Sequence, residues 1–199
     1  MDVKNFSMAD SVILSGSTEL DNGLTVSMSF ELDGDSEDAD GTSSYDSNSM
    51  TISSDALGTL TFNAHGGSSA QSAMDTTAAG DLWNNTLGVN GEAGPTSSAG
   101  NNSLFYTLPT MVDDLAITTS LTPGGANVAN ASTHMAYGVS YTGVEGLTVN
   151  LAAGDSGVQG AEVDHTTMNA SYAIGSLTLS VSRTDIDNAG STADVEWDS

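Results

Sequence analysis

The sequence predicts an all-β chain whose strands run antiparallel, up and down, in a simple meander. Three observations carry this. Apolar and polar residues alternate strictly in one segment after another. Glycine is abundant, at 22 residues, while proline numbers only three. The connections between the alternating segments are short and long by turns. A period of two puts successive side chains on opposite faces of a strand. Almost nothing in the chain follows the helical period.

The clearest strand lies in GLTVSMSFEL, 23–32, where Leu24, Val26, Met28, Phe30 and Leu32 share one face and Thr25, Ser27, Ser29 and Glu31 the other. Period and turn residues place strands at 11–20, 24–32, 47–54, 59–65, 103–108, 114–121, 134–142, 146–152, 166–173 and 176–183, with an eleventh starting near Ser191. Leu60, Phe62 and Ala64 share a face, as do Leu115, Ile117, Thr119 and Leu121. So do Met135, Tyr137, Val139 and Tyr141, then Leu147, Val149 and Leu151, then Leu177, Leu179 and Val181. The opposite faces carry Ser, Thr, Asn and Gly. Within SSAQSAMDTTAAGDLW, 68–83, a short helical turn is the most that the pattern allows.

Five connections are tight: LDNG at 20–23, DALG at 55–58, MVDD at 111–114, TGVEG at 142–146 and AIGS at 173–176. Between these hairpins lie longer polar segments at 33–47, 122–132 and 154–164, and the longest spans 66–101. A meander with short turns on one rim and long loops on the other matches the architecture of an outer-membrane β-barrel. A soluble sandwich mixes Greek-key crossings and does not sort its loops this way. Such a sandwich would turn the apolar face inward, and a barrel would turn it toward lipid. The alternation alone fits both.

Composition narrows the function classes. The 199 residues include 26 Asp and Glu against two basic residues, Lys4 and Arg183, for a formal net charge of -24. Nucleic-acid binding needs basic residues to neutralise phosphates, so that class is nearly excluded. Cations are the natural partners, and a saline or calcium-bearing medium would screen the self-repulsion. There is no Cys, which removes disulfides, thiolate metal sites and thiol catalysis. The opening MDVKNFSMAD has no apolar core of a signal peptide, and no stretch reaches the length of a transmembrane helix. The lack of such a helix does not exclude a barrel, whose signal per strand is weak.

The chain resembles the general trimeric porins of Gram-negative outer membranes, in particular those of marine and photosynthetic α-proteobacteria. The matching stretches are LSGSTELDNGLTVSMSFELDG at 14–34, SSDALGTLTFNAHGG at 53–67, GDLWNNTLGVNGE at 80–92, SLFYTLPTMVDDLAITTSL at 103–121 and HMAYGVSYTGVEGLTVNLAAGD at 134–155. The resemblance lies in the order of hairpins and the place of the long segment rather than in one rigid motif. It implies a transmembrane barrel of about 16 strands, of which this chain would be an incomplete member. It also implies a homotrimer in the outer membrane and passive diffusion of small hydrophilic solutes. A third loop would fold inward to narrow the pore, here 66–101. Asp75, Asp81 and Glu92 then resemble the acidic side of the constriction. The facing Arg and Lys cluster of the family is almost absent from this chain, and so is its aromatic C-terminal residue, since the sequence ends VEWDS.

Other candidates weigh less. Asp33, Asp35, Glu37, Asp38 and Asp40 could bind Ca²⁺ through carboxylates, but the run lacks the Gly and the closing Glu of a calcium loop. A repelling acidic outer loop is the plainer account of it. His65, His134 and His165 are widely spaced, and no G-x-S-x-G elbow marks a nucleophile, so no enzyme is expected. Tyr106, Tyr137, Tyr141, Tyr172 and Trp197 fit interfacial girdles, and Trp83 would anchor the long segment. The expected function is therefore a cation-preferring pore with no cofactor, Ca²⁺ being the one ion its acids could take up. The rival is a secreted or cell-surface all-β structural or adhesion module, an S-layer or filament subunit with Ca²⁺ between its acids.

Overall fold

The computed structural model of the chain describes residues 11–32, 45–74, 97, 100–124, 132–158, 161–188 and 195–198. Eleven strands lie among them: β1 (Val12–Glu19), β2 (Thr25–Leu32), β3 (Tyr45–Ser54), β4 (Gly58–His65), β5 (Ser103–Thr107), β6 (Leu115–Thr122), β7 (His134–Val144), β8 (Leu147–Val158), β9 (Ala161–Ile174), β10 (Leu177–Asn188) and β11 (Val195–Asp198). They form one sheet in chain order from β1 to β11. Every pairing is antiparallel. The predicted meander is present, and the eleventh strand, expected to start near Ser191, is described from Val195.

The tight rim follows from backbone chemistry. Each short turn closes on a residue of positive φ just before or at the returning strand: Gly23, Gly58, Asp114, Gly146 and Gly175. Left-handed backbone lets two strands reverse without splaying, and glycine adopts it most readily. At Gly146 (φ 76°) space adds a second reason, because a Cβ there would sit 2.7 Å from the carbonyl oxygen of Ala173.

The other rim corrects one expectation. The polar stretch 154–164 is not a long loop. β8 continues to Val158 and β9 begins at Ala161, with Gly154 opposite His165, Asp155 opposite Asp164 and Gly157 opposite Glu162. These strands extend past their apolar band, so their far ends lose the oily alternation while keeping the ladder.

Register aligns the apolar positions into continuous rows. Met28, Met50, Phe62, Leu104, Leu121 and Met135 form one row across β2–β7. Ile117, Val139, Leu151 and Met168 form another across β6–β9. That face is exposed: Met28 50%, Leu151 48%, Leu179 55% and Val181 60%. A soluble sheet would bury it beneath a second layer. Among the described residues nothing covers it, and the buried side chains are chiefly polar, including Gln71, Ser103, Thr167, Ser182 and Thr184. Tyr106, Tyr141 and Tyr172 sit on the apolar face close to the tight rim. That is the position of an interfacial aromatic girdle.

Candidate functional site

The polar face of β6–β10 has a shallow centre. One row across it reads Thr118, Gly138, Ala152, Thr167 and Thr184. The next reads Ser120, Ala136, Gly154, His165 and Ile186. The members on β7 and β8 have a methyl group or less. This leaves room for a chain to lie against the wall, and the segment that follows β4 does so.

That segment opens with a single helical turn. Ala73 N–H donates to the Ser69 carbonyl at 2.9 Å, and Met74 N–H to the Gln71 carbonyl at 3.1 Å. Ser69 and Ser72 cap each other: Ser72 N–H donates to Ser69 Oγ at 2.8 Å, and Ser69 N–H to Ser72 Oγ at 2.7 Å. This reciprocal pair satisfies donors that the first turn cannot use internally. This lies within the limit the sequence set for 68–83, and 75–83 are outside the described residues.

Contacts then hold the segment to the polar face. Ala70 N–H donates to Ser120 Oγ at 2.9 Å. A Cβ at Gly138 would meet Met74 Cε at 2.6 Å and the Ala70 carbonyl oxygen at 3.0 Å. One at Gly154 would meet Ser97 Oγ at 2.6 Å. Gln71 Nε2 donates to Thr167 Oγ1 at 2.8 Å, and its Oε1 accepts from Ser97 N–H at 2.6 Å. The two limbs of the long connection, 69–74 and 97, thus lie together against the polar face of β6–β9.

Polar contacts also tie the far ends of these strands. His134 Nδ1 lies 2.7 Å from Asp155 Oδ2, while Asp155 Oδ1 accepts from Met135 N–H at 2.8 Å. Ser156 Oγ lies 2.7 Å from His165 Nε2. No group of three or more His, Asp or Glu among the described residues is placed to hold a metal ion.

Charge is distributed unevenly between the faces. Glu19 and Glu31 alternate onto the polar face, and Ser47 Oγ donates to Glu31 Oε2 at 3.5 Å. Among the described residues no Lys or Arg lies on that face. Arg183 falls opposite Met168 on the apolar side, where its guanidinium donates to Asp185 from Nε and Nη2 at 3.1–3.2 Å.

Asp75, Asp81 and Glu92 are outside the described residues, as are Asp33, Asp35, Glu37, Asp38 and Asp40 and also Trp83. The residues that sequence reasoning missed are Gln71, Ser97 and Thr167. One signal for them exists: the polar face loses side-chain volume at Ala136, Gly138, Ala152 and Gly154, which marks a wall that something else must cover.

The geometry is thus an exposed apolar face, a polar face, and a long connection lying on the polar side. Comparison with curated proteins gives no match. A family model described as Gram-negative porin matches residues 2–198. That span takes in every described strand, and the family is one of outer-membrane channels rather than enzymes. The chain belongs to the Gram-negative porins.

Proposed function

We propose that this porin lets small hydrophilic solutes and ions diffuse passively across the outer membrane with a preference for cations. One observation carries the preference: the described polar face bears Glu19 and Glu31 but no Lys or Arg. The whole chain offers only two basic residues against 26 acids. A low-dielectric wall of one sign concentrates counter-ions and repels co-ions.

In this reading the connection 66–101 narrows the pore, and Asp75, Asp81 and Glu92 line the narrow part. Its support is that both limbs of the connection rest on the polar face, which is the water-filled side of a barrel in lipid. The assembly in this reading is a homotrimer.

The test is the reversal potential of the protein in a planar bilayer under a KCl gradient. Cation selectivity that weakens as salt rises is expected, because screening shortens the reach of fixed charge. The triple variant D75N/D81N/E92Q should move the reversal potential toward zero. Anion selectivity in the unaltered protein would overturn the reading.

A further inference from the structure

We infer that Gln71 fixes the position of the pore-narrowing connection, so that one neutral side chain sets the width of the passage. The inference rests on the reading that 66–101 narrows the pore.

The Gln71 side chain joins three pieces of chain. It belongs to the outgoing limb, its Oε1 accepts from Ser97 N–H of the returning limb at 2.6 Å, and its Nε2 donates to Thr167 Oγ1 of β9 at 2.8 Å. Thr167 Oγ1 lies in turn 3.1 Å from Thr184 Oγ1, which carries the link on to β10. Gln71 is 0% exposed, and Thr167 and Thr184 are 1% each. A second bond joins the limbs, Ser69 Oγ to Ser97 Oγ at 2.6 Å, but it does not reach the wall.

Burial is what gives the amide its leverage. In open water a lost side-chain hydrogen bond is replaced by water at little cost. In a closed site the stranded partners lose that option, and the free energy of the docked arrangement rises. Leucine at 71 would fill nearly the same volume while leaving Ser97 N–H without its partner and the Thr167 hydroxyl with Thr184 alone. Among the described residues this limb also reaches the wall through Ala70 N–H to Ser120 Oγ, on β6, three strands from β9. Without the amide, the returning limb keeps its van der Waals seat at Gly154 but loses its hydrogen-bonded link to β9.

Gln71 carries no charge, so its effect on the passage comes through position alone. Single-channel recordings of full-length Q71L, T167V and T167S in planar bilayers test it. Q71L and T167V should show a wider conductance level occupied roughly ten-fold more often than in the unaltered protein. T167S keeps the hydroxyl and should match the unaltered protein. A merely structural role would alter yield or heat stability and leave the conductance levels of inserted channels alone.

If Q71L does not insert, T167V against T167S decides the matter by itself. Wild-type levels and dwell times in every inserting variant overturn the inference. If D75N/D81N/E92Q still shifts selectivity in that case, only the role of Gln71 has failed. If the acidic variant is also unchanged, the constriction reading has failed with it.

Discussion

Thr167 and Met168 are neighbours in β9, yet Thr167 is 1% exposed and Met168 52%. The hydroxyl is inside and the thioether is outside. A protein that folds in water reverses this order, because burying apolar area is the main gain of its folding. Here lipid takes up the outward face, so the gain from apolar side chains is made against the membrane. The interior face is free to be polar provided its groups find partners. The Thr167 hydroxyl finds two, Gln71 and Thr184.

A charge placed on the outward face should therefore be costly. Leu151 lies mid-row between Val139 and Met168. Leu151→Arg is expected to destabilise the folded protein in lipid by about 2–4 kcal/mol, the range for Arg near a bilayer midplane. Asn150→Lys, one residue away on the polar face, should change stability by only about 0.5 kcal/mol, as a water-facing surface substitution does. It should instead lower cation selectivity. Equilibrium folding into vesicles along a urea series measures the first effect, and reversal potentials measure the second.

Packing of the connection against the wall predicts a contrast between two glycines. An added Cβ at Gly138 would meet Met74 Cε at 2.6 Å and Thr118 Oγ1 at 2.7 Å, whereas Gly16 has nothing within 4 Å. Gly138→Ala should cost about 1–3 kcal/mol through overpacking. Gly16→Ala should be neutral or slightly stabilising. The midpoint of heat-induced mobility change in detergent, read for both variants beside the parent, checks the pair.

The alternation, the hairpin order and the tight turns were legible because each rests on neighbouring residues. Period two sets the face of Val26 and Met28 whatever the rest of the chain does. The side on which lipid lies was not legible from alternation, since Met168 would point into the core of a sandwich. It took the exposure of whole rows to separate the two. The Gln71–Thr167 bond spans 96 residues and depends on the exact register of β9, so no local pattern announces it. The error over 154–164 has a simple cause. A strand that outgrows its apolar band reads as loop, because its polar ends have no hydrophobic partner to mark the period.

Turn chemistry gives a further graded prediction. Gly146 and Gly175 both have positive φ, at 76° and 62°. A Cβ at Gly175 would meet nothing within 4 Å, while at Gly146 it would lie 2.7 Å from the Ala173 carbonyl oxygen. Gly175→Ala should cost about 1–2 kcal/mol, the cost of left-handed backbone alone. Gly146→Ala should cost more, because the clash adds to it. Urea midpoints in detergent rank the two, and equal losses would show that the crowding at Gly146 relaxes freely.

The orientation of the sheet is the central claim, and the absence of cysteine makes it directly measurable, since any thiol introduced is the only one. Single-cysteine variants at Leu179, Ser180 and Val181 sample alternate faces of β10, and all three positions are exposed. Each is labelled with a fluorophore and reconstituted in vesicles with a quencher carried on the lipid acyl chain. The account predicts strong quenching at 179 and 181 and weak quenching at 180, where a water-soluble quencher should act instead. Strong lipid quenching at 180, with 179 and 181 shielded from it, would contradict the account.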